Sequence, residues 1–210
     1  TIPGPFPAAY SLTQHHQIGN DIDGEASFDY SGYSLSLSSD GTIVAIGAWQ
    51  NDGNTGHVRI YQWRFFTTED SYENYNYEDR TRNNTNNKPI IITGGTKPTA
   101  GYYYWTQLGQ DINGEAANDR SGHSVSLSSD GNIVAIGAPY NQENGENAGH
   151  VRIYQYSNSS WTQIGQDING EAEYDNSGYS VSLSSDGTIV AIGATGNDGD
   201  VSNSNSGHVR

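Results

Sequence analysis

The chain has 210 residues, with 24 Asp and Glu against 9 Lys and Arg and a formal net charge of −15. That balance excludes nucleic-acid binding and attachment to an anionic membrane, since phosphate contacts need a basic surface; cations and basic partners suit it better. There is no Cys and hence no disulfide from which to read a compartment, while 26 Gly and 15 Tyr point to a turn-rich all-β protein with room for a substantial core.

No apolar run approaches the length of a membrane span, and no signal peptide is legible. Thr1, in place of an initiator Met, reads as a processed end or as a window on a longer chain. Residues 1–14 form a proline-rich arm, of which Thr1–Ala9 (TIPGPFPAA) is expected to be extended, as a linker or a docking arm. Residues 15–63 hold a leading strand and a first repeat. The leading strand has Ile18-Gly19 where later copies have Leu108-Gly109 and Ile164-Gly165.

The segment IDGEASFDY (Ile22–Tyr30) recurs as INGEAANDR (Ile112–Arg120) and INGEAEYDN (Ile168–Asn176). Three acids repeat with it: Asp21, Glu25 and Asp29; Asp111, Glu115 and Asp119; Asp167, Glu171 and Asp175. Next comes the strongest signal of all, SGYSLSLSSDGTIVAIGA at Ser31–Ala48, repeated at Ser121–Ala138 and Ser177–Ala194. In the second copy Val125 and Leu127 alternate with Ser124, Ser126 and Ser128, the period of a strand. The serine face is small enough for a neighbouring sheet to approach closely. Ser129-Asp130-Gly131-Asn132 is a turn. The apolar run Ile133–Ile136 predicts a strand covered on both faces. A third strand follows at Gly149–Tyr154, and Trp161–Ile168 reads as a fourth. The period from Asp130 to Asp186 is about 56 residues.

Residues 64–104 interrupt the pattern with a Tyr- and Asn-rich insertion that holds Arg64, Arg80, Arg82, Lys88 and Lys97. Ile90, Ile91 and Ile92 have strong β character and can turn back toward Tyr102, Tyr103 and Tyr104. Such a segment needs covering, by this chain or another. The second repeat occupies 105–160 and the third 161–210, which stops at Gly207-His208-Val209-Arg210 where the earlier copies run on into Ile-Tyr-Gln.

The three copies of SGYSVSLSSDG-IVAIGA, followed by GHVRIYQ, resemble the FG-GAP repeat of integrin-α-type β-propellers, across most of Ile18–Tyr61 and Trp105–Arg210. The resemblance implies repeated four-stranded antiparallel blades, propeller-like and completed by further polypeptide; a stacked β-solenoid is the rival. The family's calcium loops are not carried over. The turns here offer one carboxylate each, at Asp40, Asp130 and Asp186, against the six to eight oxygens calcium wants.

No phosphate loop, nucleophile elbow or HExxH occurs, and no catalytic, cofactor or metal set is assigned. The repeated acids read as groups that orient the link between blades, because a scaffold repeats where an active site is normally unique. His57, His150 and His208, one per repeat, read as hydrogen-bonded structural histidines. The variable loops Trp49–Thr55, Pro139–Ala148 and Thr195–Ser206 belong on one rim; Asp198 and Asp200 in the last lie close together, as a solvated loop or a weak cation site. The expected function is an extracellular structural or adhesive subunit of a polymer, with head-to-tail contacts through Ile18, Ile90–Ile92, Tyr102–Tyr104 and Val209. The alternatives are a carbohydrate-binding module using the rim aromatics Trp49 and Tyr140, and a glycosidase-like enzyme using Glu115 and Asp119. Sequons at Asn83 and Asn158 are candidate glycosylation sites.

Overall fold

A computed structural model describes residues 18–67, 101–198 and 206–210, except for the side chains of 65–67 and 101–102. The proline-rich arm, Asn83, Ile90–Ile92 and Asp200 lie outside the described residues, as does the Tyr102 side chain.

The predicted hairpin is present three times. In the middle copy β6 (Ser124–Leu127) pairs with β7 (Ile133–Ala138), matching Ser124 with Gly137 and Leu127 with Val134. Its turn is tied by one carboxylate. Asp130 Oδ1 accepts hydrogen bonds from Ser128 Oγ (2.7 Å) and the Asn132 amide (3.0 Å), while Ser128 Oγ accepts from the Ile133 amide (3.0 Å). Gly131 takes the positive φ of 72° that closes the turn. Asp40 and Asp186 repeat these bonds with Thr42 and Thr188. The hydrogen bond from Ser184, followed by those from Thr188, holds the Asp186 carboxyl down at about 2.

The first copy pairs β1 (Ser34–Leu37) with β2 (Ile43–Ala48), and the third pairs β11 (Ser177–Leu183) with β12 (Val190–Ala194). All six residues of β2 are buried, as a run without alternation predicts. Third strands follow in each repeat: β3 (His57–Thr67), β8 (His150–Ser157) and β13 (His208–Val209).

The fourth strand departs from expectation. Trp161–Ile168 is not one strand but two pieces on opposite ends of β8. The first, β9 (Ser160–Gln163), pairs with Tyr154–Ser157, and β10 (Ile168–Asn169) pairs with His150 and Val151. Gly165, at φ 74°, kinks the chain between them. In the first repeat β4 (Gly101–Gln107) and β5 (Ile112–Asn113) divide the edge of β3 in the same way.

The chain forms two compact units. In the smaller, Thr1–Ile22 with Trp63–Thr106, the described residues gather on tryptophan. Trp63 stacks on Tyr103 at 5.7 Å and leans on Trp105 at 5.3 Å, and the Trp105 indole N–H donates to the Ile18 carbonyl at 3.2 Å. The larger, Asp23–Gln62 with Gln107–Arg210, holds the three hairpins. Its core joins Ile43, Val58 and Ile60 of the first repeat to Val125, Leu127, Val134 and Ile136 of the second. A second cluster joins Ala135 and Val151 to Ile192, Val181 and Leu183 of the third.

Serine and glycine set the spacing between successive hairpins. Ser34 Oγ donates to the Gly122 carbonyl and Ser124 Oγ to the Gly178 carbonyl, both at 2.7 Å. The Leu127 amide donates to Ser36 Oγ and the Leu183 amide to Ser126 Oγ, both at 2.9 Å. A methyl group on Gly47 would sit 2.1 Å from the Gly122 carbonyl oxygen, and one on Gly137 2.1 Å from that of Gly178. Blade therefore packs on blade through one interface made twice. The hairpins are propeller-like and, among the described residues, do not close into a ring.

Candidate functional site

In β8, His150 and Arg152 point to one side, two residues apart, and both are buried. Over them runs the linker that carries Glu115. Asp119 fixes that linker by accepting from the Ala116 amide (3.1 Å) and from Asn141 Nδ2 (3.0 Å). Asn118 and Arg120 on either side of it hold positive φ, 72° and 57°. The same left-handed pair recurs at Phe28 and Tyr30 and at Tyr174 and Asn176, each around the buried Asp29 or Asp175. A conformation unfavourable to side-chain-bearing residues is thus retained in every repeat, and the central aspartate is what holds it.

Glu115 spans the two basic groups. Its Oε1 pairs with Arg152 Nη1 at 3.3 Å, and its Oε2 lies 3.9 Å from His150 Nδ1. Arg152 Nη2 also donates to the Asn113 carbonyl at 2.8 Å. From the next linker, Asp167 brings Oδ2 to 3.5 Å from the same His150 Nδ1, while Gln163 Nε2 donates to its Oδ1 at 2.5 Å. Glu143, from the variable loop, completes a group of four: one ligating atom from each of Glu115, Glu143, His150 and Asp167 lies within 4.8 Å of the others. Glu115 and Glu143 also line an open cleft with Asn141 and Asp119.

Neither ring nitrogen of His150 has a hydrogen-bond partner within the protein. This corrects the expectation of a hydrogen-bonded histidine. The ring meets carboxylates at 3.5 and 3.9 Å, ion-pair distances longer than a normal hydrogen bond. Burial, then the nearby Arg152 charge, pushes its pKa down to about 4 against the opposing pull of Asp167, so the imidazole is neutral at pH 7. Burial also raises the Glu115 carboxyl.

The first repeat has the same plan with one ligand fewer. Glu25 reaches His57 at 3.8 Å and Arg59 at 3.7 Å, and Asp111 joins them. In the third repeat Glu171 reaches Arg210 at 3.3 Å and His208 at 3.8 Å, with the His208 ring 30% exposed. The repeated acids therefore divide into two kinds. Asp29, Asp119 and Asp175 orient the linker backbone, as their repetition predicts. The glutamates, with Asp111 and Asp167, converge on the strand histidines, a meeting that residue spacing did not suggest.

Other anticipated residues lie apart from this cluster. Arg120 lies over both rim aromatics, 4.0 Å from the Tyr140 centroid and 4.6 Å from Trp49, which leaves fewer free ring faces for a sugar. Asn158 is exposed on the turn between β8 and β9. Val209 is exposed on β13, and Ile18 is exposed in the smaller unit. No helix among the described residues is long and apolar enough to cross a membrane.

No curated protein matches the chain. A family model does: residues 113–154, from the linker glutamate through the hairpin and into β8, match the FG-GAP repeat. The matched stretch takes in Glu115, His150 and Arg152, whose counterparts stand in the flanking repeats. Residues 113–154 are thus similar to one FG-GAP repeat, consistent with the propeller-like blades described above.

Proposed function

We propose that the protein is an extracellular structural or adhesive subunit, not an enzyme, and that it assembles head to tail with further copies of itself. One observation carries this reading. The outward face of the first hairpin displays Tyr33, just before β1, with Leu35 and Leu37, each more than half exposed, whereas their counterparts in the second repeat, His123, Val125 and Leu127, are buried under the first. The outward face of β11 displays Ser180 and Ser182, the counterparts of the serines that cover the next blade inside the chain. The two ends carry opposite halves of an interface already made twice. A contact of that kind between copies is heterologous and propagates. FG-GAP repeats are typical of extracellular and cell-surface proteins, which supports the location. The exposed Asn158 is open to glycosylation there.

Sedimentation velocity over a concentration series tests the assembly. The expected result is a mass that rises with concentration and returns to that of the monomer in Leu37→Asp. A monodisperse closed monomer at high concentration, seen by sedimentation and by electron microscopy, overturns the reading.

A further inference from the structure

We infer that the middle repeat holds a divalent transition-metal site, of the zinc class, formed by Glu115, Glu143, His150 and Asp167. Exposed acidic clusters are common without ions, so the carboxylates alone carry nothing. The independent observation is His150. Its side chain is 1% exposed, both ring nitrogens lack a hydrogen-bond partner, and Nδ1 faces the carboxylates. An imidazole placed so deep without a partner loses hydration with nothing in return from the protein. A metal ion on Nδ1, with the ring proton on Nε2, supplies that return at the nitrogen that faces the carboxylates.

The donor set and its charge fit. One nitrogen with three carboxylate oxygens is a borderline set suited to zinc, not the all-oxygen shell that calcium or magnesium takes. The carboxylates of Glu115, Glu143 and Asp167, with Asp119 beside them, outnumber the one Arg152 guanidinium, and the net negative charge favours a cation. In a tetrahedral site with bonds of about 2.0–2.2 Å, donors stand roughly 3.3–3.6 Å apart. Asp167 is at that distance from His150 already, at 3.5 Å, and Glu115 is at 3.9 Å. Each of these carboxylates has its other oxygen held, by Gln163 and by Arg152, so the free oxygen is aimed inward. Glu143 lies on the open cleft, where its exposed side chain can swing in to close the shell.

The neighbouring repeats act as internal controls. The first offers Glu25, His57 and Asp111 without a fourth ligand. Among the described residues only the middle repeat assembles four.

The test is calorimetric titration of the chelator-treated chain with Zn²⁺, read beside thermal melting and the His150 ring resonances. One saturable equivalent, a raised Tm and a shift of those resonances are expected, with weaker binding of Ca²⁺. Glu143→Gln, at an exposed position that leaves the fold intact by circular dichroism, lowers the affinity about tenfold or more. Glu25→Gln leaves that equivalent in place. No saturable equivalent, tighter Ca²⁺ than Zn²⁺ binding, or an equivalent undiminished in both Glu143→Gln and Asp167→Asn overturns the site.

Discussion

Leu37 and Leu127 occupy the same place in two copies of the same hairpin, yet one is 61% exposed and the other 7%. Local sequence does not account for the difference: SLSLSSDG and SVSLSSDG are almost identical. Leu127 has the first repeat against it, and Leu37 has no preceding repeat among the described residues. In this architecture burial belongs to the interface and not to the hairpin, so stability is a sum over neighbours. His150 and His208 teach the same lesson at the candidate site. The ring backed by further chain is closed off, and its counterpart at β13 is one-third open.

The comparison can be broken by truncating both leucines. Leu127→Ala is expected to cost about 3 kcal/mol, from lost transfer energy and the cavity left behind. Leu37→Ala in dilute solution should stay within about 0.5 kcal/mol. Equal losses in urea melts would mean that the two faces do not differ as described. A smaller contrast separates two glycines. A methyl on Gly137 meets the backbone oxygen of Gly178 at 2.1 Å, whereas one on Gly193 meets only the Ser180 hydroxyl, at 2.3 Å, which can rotate away. Gly137→Ala should cost about 2 kcal/mol or more and Gly193→Ala well under about 1 kcal/mol, by the same melts.

The smallest effect sharpens the picture by pH. His123 sits between Tyr33 of the first repeat and Tyr179 of the third, with ring centroids 5.1 and 4.6 Å away and the Arg120 charge nearby. Burial lowers its pKa below the ordinary 6.5, with Arg120 adding to the shift and a backbone hydrogen bond at Tyr179 opposing it. The unfolded chain therefore takes up this proton first. The contribution to stability is complete above the unfolded value and declines as the pH falls from there toward the folded one. Thermal melts between about pH 7 and 5 should show a shallower acid loss in His123→Phe than in the native chain. Identical slopes would show that the ring does not report on the contact between blades.

The hairpins were legible because their determinants are local. Alternation of Ser with Val or Leu, an Asp-Gly turn and an unbroken apolar run each act within a few residues, and all three copies agree. The division of the fourth strand was not, because Trp161–Ile168 reads as one β segment and only the left-handed Gly165 breaks it. The histidine cluster was invisible for a different reason. Glu115 lies in one linker, His150 in a strand, Asp167 in the next linker and Glu143 in a loop of variable length. Their meeting is a product of topology, and reading the acids and the histidines as separate repeated features could not join them. Their recurrence at matching places in every copy was the one available signal.

The serine contacts between blades also have a direction. In both interfaces the hydroxyl comes from the earlier repeat, Ser34 and Ser36 in one and Ser124 and Ser126 in the other, and it serves the backbone of the later one. Each hairpin is thus a finished template for its successor. Because the amino-terminal repeat leaves the ribosome first, synthesis and docking run in the same vectorial order, and no blade has to wait for a later one before its own template is in place.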